Sequence, residues 1–246
     1  MSATPRCIEV EWPAPAGVRA VFSTRRGGAS SAPWASLNLG SHVGDEPRAV
    51  AANRAALCAS LGLASEPCWL EQIHSDILID LDAADASRRG DAAITRTRGR
   101  VATVMVADCL PVLLCDAQGR QVAAVHAGWR GLAAGLIQKS VAAFGASPAD
   151  VIAWLGPAIG PHAYAVGADL RTRFLMVDAH NADAFHWHDG QWHMDLARIA
   201  ELQLRAAGVT SIHGGGLCVH SDAANFFSYR RDGETGRMAA LVWLEA

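Results

Sequence analysis

Four short apolar runs constrain this chain more than any other feature: residues 101–106, 112–115, 121–125 and 151–155, each rich in valine or other β-branched residues. Runs of this length and composition suit strands of a buried sheet. Such a sheet needs covering layers, and the remaining pattern supplies them. Pro47–Leu61 has helical, Ala-rich spacing with Gly62 placed to end it. Residues 132–144 form a second expected helix, ended by Gly145, and 195–207 an amphipathic third, closed by Gly208. Further strands are expected over 18–24, 68–74, 77–81 and 239–244. Across 185–194, Asp189-Gly190 suits a two-residue hairpin turn. Folding there pairs Phe185 with Met194 and Trp187 with Trp192 on one face. His186, His188, Gln191 and His193 then share the other face, which is expected to meet solvent. The polar, Arg-rich stretch 82–100 reads as a surface excursion. Mixed α and β elements of this kind imply sheets covered by helices, and with no repeat or linker residues 1–246 read as a single domain.

Composition narrows the function classes. With 246 residues, 51% of them hydrophobic, the chain is far from a disordered tail. No apolar run approaches the roughly 20 residues that span a bilayer, so no membrane partner is expected. The first residues lack the pattern of a secretory signal, which makes a cytoplasmic location the expectation. A net charge of −3 argues against nucleic acid as a partner. Lys139 is the single lysine, so 20 of the 21 basic residues are arginine, the better bidentate binder of phosphate. The six cysteines have no CxxC pair, which excludes a disulfide scaffold and a zinc ribbon.

Three residues able to bind a soft or borderline metal each close a short apolar stretch: His74, Cys109 and His126. Neighbouring strands would let the three converge at one rim of a sheet. Two imidazoles and a thiolate suit zinc and leave a fourth position open, while copper accepts the same donors. A packed, purely structural role for each residue is the competing reading. After His126, the passage Ala127-Gly128-Trp129-Arg130-Gly131 leads into a helix, and Arg130 adds a guanidinium there. Asp108 could orient a histidine or cap a turn. Cys109 could also be a nucleophile activated by His74 or His126.

Those passages belong to a larger ordered set. His126-Ala127-Gly128-Trp129-Arg130-Gly131 and Ala107-Asp108-Cys109-Leu110-Pro111-Val112 resemble the YfiH, or laccase-domain, family of purine nucleoside phosphorylases. Phe22-Ser23-Thr24-Arg25-Arg26-Gly27-Gly28 and Ser36-Leu37-Asn38-Leu39-Gly40 are similar to the family's opening motif. His42-Val43-Gly44-Asp45, Asn53-Arg54, Gln72-Ile73-His74, the Gly156–Pro161 passage and Phe227-Ser228-Tyr229-Arg230-Arg231-Asp232 follow in order. Ser75 departs from the pattern, since many relatives carry glycine after that histidine.

The resemblance implies a four-layer α/β/β/α sandwich and a zinc-type site on His74, Cys109 and His126, with copper as the other metal. It implies phosphorolysis of adenosine, inosine and S-methyl-5′-thioadenosine, and deamination of adenosine, with purine nucleosides and inorganic phosphate as partners. Phosphate would be held by arginines, for which Arg25, Arg26, Arg130, Arg230 and Arg231 are the candidates. Asn38 and Gln72 are candidates for bonding ribose or base. A copper polyphenol oxidase, a cysteine hydrolase and a metal-binding interaction module are the alternatives. The zinc nucleobase-deaminase signature, the GxSxG elbow and the P-loop are all absent. A laccase mechanism would need further copper ligands, which only the histidines between 180 and 193 could supply, so one metal is expected. A monomer is the default expectation.

Overall fold

The structure is a computed structural model that describes residues 4–84 and 86–246. Two sheets carry it. The first has four strands in the order β1-β2-β13-β5: β1 Cys7–Glu9, β2 Val18–Ser23, β13 Met238–Leu244 and β5 Val101–Val106. The second has six, in the order β12-β8-β6-β7-β4-β3: β12 Ser211–Gly214, β8 Val151–Leu155, β6 Leu110–Asp116, β7 Val122–Ala127, β4 Ala92–Thr95 and β3 Leu78–Asp80. All four apolar runs are strands, and every residue of β5, β6, β7 and β8 is buried.

Alternation along β6 shows why both faces are apolar. Leu113 and Cys115 join Val104, Ala240 and Trp154 in the core between the two sheets. Val112 and Leu114 point the other way, into a core closed by helices. Those helices are α2 Trp129–Ala133, α3 Leu136–Ala142 and α4 Leu196–Ala206, which contribute Leu132, Ile137 and Leu204. On the outer face of the four-stranded sheet, α1 Pro47–Leu61 sends Leu57 against Val101, Met105 and Leu241. The layers therefore run helix, four strands, six strands, helices, the α/β/β/α order. Leu113 has no exposed surface at the centre of this stack. Leu113→Ala is expected to lower unfolding free energy by about 2–5 kcal/mol, read by urea denaturation, because the surrounding strands cannot close the cavity.

Several local expectations are corrected. Residues 68–74 form no strand; their backbone pairs through isolated bridges at Cys68–Ala102 and Glu71–Arg89. The helix expected over 132–144 is two helices, broken where Gly135 adopts φ +82°. The stretch 82–100 is not wholly a surface excursion, because β4 lies within it, buried at all four positions between β7 and β3. Its arginine-rich flanks hide a run too short to stand out. By contrast α1 begins at Pro47 and ends at Gly62, in the left-handed conformation, as read.

The hairpin also forms in the expected register. Phe185 pairs with Met194 and Trp187 with Trp192 between β10 Phe185–His188 and β11 Gln191–Met194. Burial does not follow the faces, however. Trp187 is 61% exposed, whereas His193, expected in solvent, is only 5% exposed. A third strand explains the difference: β9 Ala165–Val166 pairs with β11, with Ala165 opposite His193. The preceding turn brings the Pro161 carbonyl onto the His193 ring. Among the described residues, no helix is long and apolar enough to cross a membrane.

Candidate metal centre

The turn 107–109 carries the chain from β5 in one sheet to β6 in the other, and Cys109 sits at that crossing. Antiparallel pairing of β6 with β7 sets Pro111 opposite His126 and Leu110 opposite Ala127. Cys109 and Gly128 continue that register just beyond the last pair. A Cβ on Gly128 would lie 3.1 Å from Cys109 Sγ and 3.4 Å from His74 Cδ2, so only glycine gives both side chains room. His74 reaches the same place from a loop rather than a strand end, with φ +58°. One donor atom from each of His74, Cys109 and His126 lies within 4.8 Å of the others.

A buried carboxylate holds this arrangement. Asp91 precedes β4 and has no exposed surface. Pairing of β4 with β7 sets Ala92 opposite Val125, and the His126 backbone N–H donates to the Asp91 carbonyl at 2.7 Å. The Asp91 carboxylate accepts the His126 Nδ1 hydrogen at 2.8 Å. It also accepts from the N–H groups of Ile73, His74 and Ser75 at 3.2, 3.0 and 2.6 Å. The Ser75 hydroxyl adds a fifth bond at 2.6 Å, so the one departure from the family pattern contributes a donor. Burial alone would raise the Asp91 pKa, but these donors hold it well below the usual carboxylate range.

One consequence is the tautomer. With Nδ1–H committed to Asp91, His126 offers Nε2 to the cluster. Burial would push the Cys109 thiol up, yet His126 and His74 bring it below the ordinary thiol range. Burial would likewise lower His126, while Cys109 and Asp91 raise it. The donor set fits a zinc-type ion: a thiolate, an imidazole fixed from behind, and a second imidazole whose ring centre lies 4.9 Å from the first. His126 is buried, Cys109 half-buried and His74 exposed, so the cluster opens on the His74 side.

The family model described as multi-copper polyphenol oxidoreductase laccase matches residues 19–245. The chain is 48% identical to purine nucleoside phosphorylase YfiH of Escherichia coli (strain K12), over 97% of this chain and 99% of that one. It is 48% identical to purine nucleoside phosphorylase PA4543 of Pseudomonas aeruginosa, over 96% and 97%. The chain belongs to the YfiH, or laccase-domain, family. Its structure is similar to the crystal structure of Neisseria meningitidis protein NMB0706, with a TM-score of 0.92 and 44% identity over 98% of this chain and 99% of that one. YlmD of Geobacillus stearothermophilus gives 0.86 and 29% over 99% and 100%.

Other laccase-domain motif residues fall into two groups. Arg25 Nε donates to the Ala35 carbonyl and Nη1 to that of Ala223, with the guanidinium over Phe227 at 4.5 Å. Arg26 Nε donates to the Ala224 carbonyl. Arg231 donates to the carbonyls of Val219, His220 and Phe226 and pairs with Asp232. These three tie the opening motif and the closing motif to the loops between them. Asn38 is buried and bonded to Gly40, Asp45 and Arg237 N–H. Gln72 spends both ends of its amide on the backbone of Met105.

Arg130 and Arg230 are less committed, although Arg230 Nη1 donates to the Ala165 carbonyl at 3.2 Å. Arg130 stacks on Trp129 at 4.3 Å, four residues after His126. Arg230 is placed by Asp108, whose carboxylate accepts from its backbone N–H and from the Ser228 hydroxyl, both at 2.6 Å. Asp108 therefore anchors the closing motif, and the histidine-orienting carboxylate is Asp91. Tyr164 stands beside Arg230, whose guanidinium lies 5.2 Å from its ring centre. Burial first, then the Cys109 charge, pushes the Tyr164 hydroxyl up to about 12, opposed by Arg230 and Arg130. Arg237 lies in the field of Cys109 and Asp108 as well. Sequence reasoning missed Asp91, Tyr164 and Arg237. The available signal for Asp91 was a lone acid directly before the short run 92–95.

Proposed function

We propose that this chain is a zinc-dependent purine nucleoside phosphorylase acting on adenosine, inosine and S-methyl-5′-thioadenosine, and that it also deaminates adenosine. The metal would be held by His74, Cys109 and His126. The observation that carries the reading is their convergence, with Asp91 fixing one imidazole and one side of the cluster open. Relatives named purine nucleoside phosphorylase, 48% identical over nearly the whole chain, support the choice of reaction.

Phosphorolysis exchanges the bond from C1′ to the purine for a bond from C1′ to a phosphate oxygen. Phosphate must therefore be held below C1′ while positive charge develops there. Arg130 and Arg230 supply the guanidinium groups that hold it by charge-assisted hydrogen bonds. Tyr164, beside Arg230, keeps its hydroxyl protonated and so remains a neutral hydrogen-bond donor to the nucleoside. Asp91 keeps the hydrogen on His126 Nδ1 and the two histidines in place. A zinc ion held by His74, Cys109 and His126 would supply Lewis acidity.

The test is the release of hypoxanthine from inosine by the zinc-loaded protein, with and without inorganic phosphate and with metal analysis of the same sample. Release that depends on phosphate and yields ribose 1-phosphate is the expected result. Release at the same rate without phosphate would make the protein a hydrolase. One observation favours that second reading: the lowered thiol of Cys109 beside the raised His126 is also the pair that a cysteine nucleophile needs. A metal-free active protein that is inactivated by alkylation of Cys109 would select it. Phenol oxidation with copper, and no nucleoside turnover, would instead favour the polyphenol oxidase that the family description names.

A further inference from the structure

His193 takes no part in the centre described above, yet it is 5% exposed and lies on a surface hairpin. Its Nδ1 is 2.7 Å from the Pro161 carbonyl oxygen. A carbonyl only accepts, so Nδ1 carries the hydrogen and Nε2 presents a lone pair. That Nε2 is buried and has no hydrogen-bond partner. An unpaired acceptor of this kind is unfavourable unless something fills its coordination.

Two exposed histidines stand beside it. The His188 ring centre lies 5.8 Å from that of His193, and the His162 ring centre 6.4 Å from that of His188. For comparison, the two imidazoles of the His74–Cys109–His126 cluster are 4.9 Å apart. His188 Nε2 lies 3.2 Å from the Asp189 carboxylate, and both side chains are exposed. At His193 a hydrogen bond behind the ring thus fixes the tautomer and frees the opposite nitrogen. Metal-binding histidines are held in this way. The ring nitrogens of the three histidines do not converge as they stand, but His162 and His188 are exposed, so their side chains have room to turn toward a fixed His193.

We propose that His162, His188 and His193 form a second metal site, separate from His74, Cys109 and His126, for a divalent late transition metal ion. An all-imidazole donor set suits zinc, copper or nickel and disfavours magnesium and calcium. His162 comes from the turn Pro161–Ala163, His188 from the end of β10 and His193 from β11. The ion would pin the turn against the three-stranded sheet β10-β11-β9. One metal per chain was the expectation from sequence. Burial of His193 is what changes it.

Zinc ions alone are the probe. The full chain, stripped by chelator, is titrated by calorimetry, and bound zinc is counted after equilibrium dialysis. Wild type is expected to bind two equivalents. The double variant His162→Gln, His188→Gln changes only exposed side chains and should bind one, with nucleoside turnover as in wild type. His193→Gln should also bind one. Cys109→Ala should retain one equivalent, which disappears when it is combined with the double variant. A wild-type stoichiometry of one, or two equivalents still bound by the double variant, overturns the proposal. Loss of all zinc in Cys109→Ala alone overturns it too.

Discussion

Cys109→Ala is expected to abolish purine nucleoside turnover, by roughly 10³-fold or more, while the protein stays folded. The change removes one sulfur from a half-buried turn and leaves a side chain that fits the same space. Little packing is lost, because the alanine keeps the Cβ among the partly buried groups against the inter-sheet core. What disappears is the thiolate that both imidazoles face. One equivalent of zinc should leave with it, measured by metal analysis beside circular dichroism and an inosine phosphorolysis assay. Retained turnover in a folded variant would remove Cys109 from the site.

The second large effect belongs to a residue that touches neither metal nor substrate. Asp91→Asn keeps the size of the side chain but replaces one acceptor oxygen with an N–H₂ group. All five hydrogen bonds to the wild-type carboxylate come from donors, so the new amide must face at least one of them donor to donor. At a site with no exposed surface, that mismatch is expected to cost about 1–3 kcal/mol of stability, read by urea unfolding. Zinc affinity at the cluster should fall by roughly 10–100-fold, read by competition with a chromophoric chelator, as both histidines lose their common anchor. Wild-type affinity in this variant would show that Asp91 has no part in orienting the ligands.

Cys109 and His126 were legible in the sequence because each borders a valine-rich run, and the runs alone imply strands. His74 was found for the wrong local reason. Its stretch reads as a strand, but Asp91 holds it as a loop, and that contact spans 17 residues. Asp91 itself could not be weighed from its neighbours. Its importance comes from the pairing of β4 with β7, and nothing in an arginine-rich stretch announces that register. The arginines show the same limit. Five stand in similar motif passages, yet Arg25, Arg26 and Arg231 are spent on backbone carbonyls of the loop 219–226 and its neighbours, which only the fold brings near.

The exposure gradient across the cluster also has a kinetic meaning. His126 is buried in β7 and Cys109 is fixed at the crossing between sheets, but His74 stands at the surface on a loop tied by Asp91. An ion or an attacking group would therefore reach the cluster from the His74 side. Ser75 fastens that side through two bonds to the same carboxylate. A glycine at this position would lack the hydroxyl and keep only the backbone fastening. The residue that departs from the family pattern therefore stiffens the solvent-facing side of the cluster.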